Sequence, residues 1–336
     1  MELGLMFKPI EQRPTLRYGD SGPDVVDLQR MLPRFGGEID GDFGAVTEDS
    51  VFQYQRSRGL DVDGIVGQQT WAALYENKRP VRPLYRPQTL TGVEQETIKR
   101  IANESEIADY DWDDRGLAPT GYTQGMALAF ATTYKKLKVG HPAAIEMAKA
   151  RTNSDKDALN LYRDEYNSLG MSNEASGIDT LRHLYVMMLG SGMRESSGRH
   201  CEGRDMSAEN VDAETCEAGL FQTSYNAHSA SDPEFSDVMD EYSSPIYAAT
   251  CYLDAFAEDV ECSESDWSNY GDGLGAQFQE LCKVCPAFAV ETHGLTLRNL
   301  CNHYGPCIRM EIELRHEANV MFRAVQDFID ESEIGT

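Results

Sequence analysis

A carboxyl group that donates a proton near neutral pH must be kept partly away from water, because desolvation penalises its charged form. One glutamate in this chain sits where that would happen. The apolar stretch Ile178 to Gly190 carries Leu181, Leu184, Tyr185 and Met188 on one side and reads as a buried helix. It runs into Gly190-Ser191-Gly192-Met193-Arg194-Glu195-Ser196-Ser197-Gly198. Glu195 is therefore expected just after a buried helix, between glycines, where it is a candidate general acid. A second element, Glu217-Ala218-Gly219-Leu220-Phe221-Gln222-Thr223-Ser224, sets Gly219 24 positions after Glu195. There Gly219 permits close backbone approach, Leu220 and Phe221 are core-like, and Gln222 brings an amide. A third element is Asn302-His303-Tyr304-Gly305-Pro306. Between the first two lie Asp205, Glu209, Asp212, Glu214 and Glu217, of which Asp212 and Glu214 are best placed to be a second catalytic carboxylate. Ser196, Gln222, Ser224, Asn302 and Tyr304 are candidate contacts to substrate or water. His200 and His303 lack the Ser/Asp setting of a triad and read as structural or binding residues. No metal and no cofactor are implied.

Helical periodicity dominates the region that must position these groups. Candidate helices are Val93 to Ile107, Gln124 to Leu137, Pro142 to Arg151, Asp157 to Leu169, Ile178 to Gly190, Pro245 to Glu258 and Ile308 to Ile329. Few stretches favour strands. The fold class expected is mainly α: a small three-helix module plus a larger helical domain with irregular loops. All eight cysteines (201, 216, 251, 262, 282, 285, 301 and 307) fall in the larger part and read as a disulfide set formed in an oxidising compartment. Free thiols and zinc are the rivals; zinc would use the C-x-x-C of Cys282 and Cys285, though the next pair is spaced widely for a zinc knuckle. Pairing is largely open; Cys201 with Cys216 is the best single expectation, because it would staple the loop beside Glu195.

The first 75 residues have a different construction. Asp40-Gly41-Asp42-Phe43-Gly44-Ala45-Val46-Thr47 is echoed by Asp63-Gly64-Ile65-Val66-Gly67-Gln68-Gln69-Thr70, a D-G-x-x-G-x-x-T repeat at a 23-residue offset. Asp-Gly makes a tight turn in which glycine accepts positive φ. Thr47 and Thr70 fall near helix starts, where a hydroxyl is expected to cap free N–H groups. Val25, Val26, Leu28 and Leu32 precede the first copy, Val51, Phe52 and Tyr54 follow it, and Trp71, Ala72 and Leu74 follow the second. Three short helices joined by Asp-Gly loops result. The segment 14–76 resembles the peptidoglycan-binding domain 1 family, through Leu28-Gln29, Asp40-Gly41, Phe43-Gly44, Thr47, Gln55, Val62-Asp63-Gly64, Gly67 and Thr70-Trp71. That resemblance implies a module that docks cell-wall material without cutting it.

The remaining motifs resemble the lysozyme-like superfamily, in particular goose-type lysozymes and soluble lytic transglycosylases. Arg194-Glu195-Ser196 is similar to their R-E-S or Q-E-S motif, whose glutamate is the catalytic acid. Ala218-Gly219-Leu220-Phe221-Gln222 is similar to their G-L-M-Q motif, and Asn302 to Pro306 loosely to their Y-N-A-G segment. Goose-type lysozymes place an aspartate soon after G-L-M-Q, and this chain has Ser224 there. The resemblance implies a peptidoglycan muramidase, with a lytic transglycosylase as the alternative and a chitinase or a non-catalytic wall binder behind it.

Of 336 residues, 30 are Lys or Arg and 56 Asp or Glu, a net charge of −26. Residues 1–75 hold −5, residues 76–92 hold +3, and residues 93–336 hold −24. The organisation expected is a wall-binding domain over 1–75, a basic Pro-rich linker over 76–92 and a catalytic domain over 93–336. Such acidity excludes nucleic acid as a direct partner and disfavours anionic membranes. No apolar run approaches a membrane span; Leu184 to Leu189 is six residues long. Peptidoglycan is the expected partner, with chitin as a second substrate, and the chain is taken as a monomer. Met1 to Ile10 lacks the pattern of a secretion signal, yet the cysteines and the wall module point to a secreted, periplasmic or wall-acting protein, or a phage lysin.

Overall fold

The computed structural model describes residues 12–32, 39–76, 85–151, 154–204, 212–227 and 233–334. The chain forms two compact units with main spans 1–85 and 86–336. Both are helical, and the fold is mainly α, as the periodicity predicts.

The first unit holds α1 (Pro23–Met31), α2 (Ala45–Arg58) and α3 (Gln68–Glu76). Their apolar faces meet in a core of Leu16, Val25, Leu28, Leu32, Phe43, Val51, Tyr54, Val66, Trp71 and Leu74. The repeat is built as two equivalent clamped turns. Gln29 Nε2 donates to Asp40 Oδ1 at 2.8 Å and to the Asp42 carbonyl at 3.1 Å, while Gly41 N–H donates to Gln29 Oε1 at 2.9 Å. Gln55 Nε2 donates likewise to Asp63 Oδ1 and the Ile65 carbonyl, both at 2.9 Å, and Gly64 N–H donates to Gln55 Oε1 at 3.0 Å. Gly41 and Gly64 have φ of +79° and +71°, the conformation for which glycine is selected. The threonines do not cap helices as expected. Thr47 and Thr70 donate their hydroxyls to the carbonyls of Asp42 and Ile65, and so belong to the clamps. The hydrogen bonds from Asp42 N–H and Gln29 hold Asp40 below the ordinary carboxylate pKa, and those from Ile65 N–H and Gln55 do the same for Asp63.

Residues 77–84 of the basic stretch lie outside the described residues. The second unit begins its helices at α4 (Gly92–Asn103), earlier than Val93, because Thr91 and Glu94 form a reciprocal capping box. Its longer helices continue with α5 (Thr120–Lys138), α6 (Ile178–Ser196), α7 (Pro233–Tyr242), α8 (Gly273–Val284), α9 (Pro286–Asn299) and α10 (His316–Ile334). Two antiparallel strand pairs are present among the described residues: β1 (Asp111–Trp112) with β2 (Gly116–Leu117), and β3 (Glu217–Ala218) with β4 (Thr223–Ser224).

Several boundaries differ from expectation for identifiable reasons. Pro245 to Glu258 is a 3-10 turn, Pro245–Thr250, followed by the short helix Leu253–Phe256. Ile308 to Ile329 is interrupted, and α10 starts only at His316. Helix α9 escapes the periodicity reading because it is buried on every side from Pro286 to Arg298, so no polar face marks its period.

Candidate active site

Helix α6 does not stop at Gly190 but runs to Ser196, placing Glu195 in its last turn. The glycines serve packing rather than termination. A β-carbon on Gly190 would collide with the Glu313 carbonyl, and one on Gly192 with the Tyr122 hydroxyl. The helix ends instead at Ser197, in the left-handed conformation with φ 53°.

The three motifs converge on this helix end. Ser196 Oγ donates to the Leu220 carbonyl at 2.8 Å, tying the glutamate turn to the β3–β4 hairpin. Gly219, φ +74°, lies against Cys282, where a β-carbon would come within 2.9 Å of the carbonyl oxygen. Phe221 stacks on His293 of α9, with ring centroids 4.0 Å apart and planes at 9°. His293 Nε2 lies 2.9 Å from Ser191 Oγ, and Ser191 Oγ lies 2.8 Å from Tyr304 Oη. Tyr304 in turn hydrogen-bonds Glu195. A continuous chain thus runs from the hairpin through His293, Ser191 and Tyr304 to the carboxyl group.

Burial lifts the Glu195 pKa to about 7 from an ordinary 4.5. The Tyr304 hydrogen bond opposes that rise, the negative charge of Glu217 adds to it, and Arg309 and Arg115 oppose it to a smaller extent. Arg309 is itself engaged by Glu311 at 2.8 Å and 2.9 Å. Among the described residues no cation is ion-paired with Glu195, and at neutral pH a large fraction holds its proton.

The other candidates occupy different positions. Asp212 N-caps the 3-10 turn Ala213–Thr215, accepting from Thr215 N–H at 3.1 Å, and Glu214 is exposed on that turn. Asp205 and Glu209 lie outside the described residues. The carboxylate whose charge reaches Glu195 is Glu217, in β3 and paired with Ser224 of β4. Gln222 turns its amide back to the Gly219 carbonyl at 3.1 Å, and Ser224 donates to Asn226 Oδ1 at 2.8 Å. Asn302 is exposed on the turn before Tyr304, and the side chain of His303 lies outside the described residues. His200 is buried against the Lys283 carbonyl, 3.0 Å from Nδ1. Ser191 and His293 are absent from the sequence reading. Ser191 was findable, one helical turn before Glu195; His293 was not, because its helix was not recognised.

The disulfide pattern corrects one expectation. Cys201 is bonded to Cys262, not to Cys216, and Cys251 is bonded to Cys285. Cys216, Cys282, Cys301 and Cys307 are buried thiols. The loop after Glu195 is thus stapled to a segment some sixty residues on, which no local spacing reveals. The bond from Cys285 to Cys251 also dissolves the C-x-x-C zinc reading. Among the described residues, His200, Cys201 and Cys262 lie close enough to hold a metal, but the two sulfurs are bonded to each other. A cavity of about 580 Å³ is lined by Gln95, Lys99, Tyr242, Tyr252 and Asp254 among others, and none of its residues belongs to the three motifs.

The architecture defines a helical protein with a half-buried glutamate of raised pKa beside a small hairpin. Known proteins narrow the first unit further. Residues 21–74 match a family described as a peptidoglycan binding domain, so the chain carries that domain near its N-terminus. The chain is 44% identical over 61 residues to the N-acetylmuramoyl-L-alanine amidase CwlM of Mycobacterium tuberculosis, covering 17% of this chain and 14% of that one. It is 42% identical over 62 residues to the spore cortex-lytic enzyme of Halalkalibacterium halodurans, covering 18% and 19%. An uncharacterized protein of Kitasatospora aureofaciens is 39% identical over 77 residues, covering 21% and 65%. The chain therefore spans less than two thirds of each of these relatives. The crystal structure of the Burkholderia AP3 phage endolysin aligns with 95% of this chain and 100% of its own, at 15% identity and a TM-score of 0.18, at which the whole chains do not superpose. Among the described residues, no helix is long and apolar enough to cross a membrane.

Proposed function

We propose that this protein is a wall-cleaving glycosidase, a muramidase that cuts the β-1,4 bond between N-acetylmuramic acid and N-acetylglucosamine. The observation that carries the reading is Glu195, raised to about 7 at the point where the three motifs meet. A carboxyl group tuned there can donate to the glycosidic oxygen at neutral pH and stabilise departure of the leaving sugar. As its proton leaves, the Tyr304 hydroxyl is positioned to donate to the new carboxylate. The sugar left behind develops oxocarbenium character, and a second carboxylate about 6.5–9.5 Å away would activate water in an inverting hydrolase. We assign that role to Glu217 in preference to Asp212 or Glu214, because its charge alone among the three acts on Glu195. The peptidoglycan-binding domain would hold the enzyme on its substrate, which a catalytic region of net charge −24 does not attract.

A lytic transglycosylase is the second reading, favoured by the same pKa, since a group near 7 can take back the proton of the muramic acid 6-hydroxyl. Mass spectrometry of digested, purified peptidoglycan separates the two. Reducing muramic acid ends are expected; 1,6-anhydro ends would replace hydrolysis by transglycosylation. Soluble oligosaccharides from pure chitin would move the substrate assignment to chitin.

A further inference from the structure

The turn that carries Tyr304 is bracketed by two thiols. Cys301 and Cys307 are both fully buried, and their sulfurs are 2.7 Å apart. Even non-bonded carbons settle at roughly 3.5–4.0 Å, so two larger sulfur atoms at that separation are already in the approach to a bond. The backbone is arranged for it. Tyr304 N–H donates to the Cys301 carbonyl at 3.0 Å, and Cys307 N–H donates to the Tyr304 carbonyl at 3.1 Å. The chain already carries two disulfides, so its thiols meet oxidising conditions. We propose that Cys301 and Cys307 form a third disulfide, closing the turn around Tyr304 and so fixing the hydrogen-bond partner of Glu195.

The chemistry is thiol–disulfide exchange. One thiolate attacks the disulfide of an external oxidant, a protein or small-molecule disulfide, and displaces one of its thiols. The other cysteine then attacks the mixed disulfide, releasing the second thiol of the oxidant. Two electrons and the two thiol protons pass to the oxidant. Because both thiols are buried, and the hydrogen bond with Cys301 together with burial holds the Cys307 thiol far above its ordinary value, the exchange belongs to the folding chain before this turn closes. The consequence for catalysis rests on the proposed role of Glu195. A loosened turn would withdraw the Tyr304 hydrogen bond, leaving Glu195 to burial, Glu217, Arg309 and Arg115.

The bond itself is tested without any activity. The native protein is denatured in an alkylating agent without reductant and digested with trypsin. Both cysteines fall in the one peptide Asn299 to Arg309. The expected result is that peptide unalkylated and two hydrogens lighter than the dithiol. Alkylation of both cysteines, or a link from either to Cys216 or Cys282, would overturn the proposal. The positioning role is tested by Cys301→Ser with Cys307→Ser on peptidoglycan. A fall in kcat of about tenfold at unchanged KM is expected, with the basic limb of the pH profile displaced upward. An unmoved limb would remove Tyr304 from the consequence of the bond. Should peptidoglycan not be a substrate at all, the peptide mass still decides the bond.

Discussion

Two carboxylates of the second unit, Glu195 and Glu241, titrate in opposite directions, although Glu241 is the more deeply buried of the two. Burial raises both. At Glu241 it is outweighed by the His141 hydrogen bond at 2.6 Å and by Lys136 at 3.3 Å, so its pKa falls below the ordinary value. Lys136 also reaches both oxygens of Glu291, at 2.7 Å and 2.8 Å, and lies over the rings of Tyr242 and Tyr247. At Glu195 no cation among the described residues forms an ion pair, and burial wins. Desolvation alone therefore does not make a general acid; withholding a cation from a desolvated carboxyl does. One cluster holds α5, α7 and α9 together, and the other keeps a proton available.

The sharpest way to break this comparison is to remove each centre's defining group. Glu195→Gln keeps size and hydrogen bonding but has no proton to give, and should lower turnover of peptidoglycan by about 10²–10⁴-fold. Lys136→Met should instead leave activity per folded molecule intact and cost about 3–5 kcal/mol of stability in a urea titration, because it strands the buried Glu291 and leaves Glu241 to His141 alone. Equal effects of both on folding would erase the distinction.

A smaller effect concerns stability at Glu195 itself. Its folded pKa lies above the unfolded value, so between pH 4.5 and about 7 the native state binds more protons than the unfolded chain. Wild-type stability should thus decline across that window as pH rises. Glu195→Gln should be more stable than wild type by on the order of 2–3 kcal/mol at pH 8 and no different below pH 4. Smaller still are the neighbours' effects on that titration. Tyr304→Phe removes an interaction that lowers the Glu195 pKa, and Glu217→Gln removes one that raises it. The Glu195 midpoint should move up and down respectively, by about half a unit to one unit, while Glu217→Gln, which removes the carboxylate assigned to activate water, should also lower turnover by about 10²–10⁴-fold. The least effect is expected from deleting residues 1–76, which should weaken activity on intact walls most at low salt, where repulsion is least screened. A loss independent of ionic strength would contradict that role for the module.

Much of this was legible in the residues. The clamped turns follow from the D-G-x-x-G-x-x-T repeat, and Glu195 from an apolar helix meeting polar motifs. What escaped has a common cause: it depends on contacts distant in sequence. Gly190 and Gly192 read as a helix end, yet they are dictated by the Glu313 carbonyl and Tyr122. The partner of Cys201 lies in a loop with no marking pattern. Helix α9 supplies His293 and Glu291 to the two clusters, but uniform burial hides its period. The capping expected of Thr47 was plausible locally and lost to the glutamine clamp, which needs a side chain from α1.

The central claim is that Glu195 retains its proton where the more deeply buried Glu241 does not. Carbon NMR of glutamate side-chain carboxyls, assigned with Glu195→Gln and Glu241→Gln, measures it in the full chain. Glu195 should titrate with a midpoint near 7 and Glu241 below 4.5. A Glu195 midpoint at or below 4.5 would contradict the account.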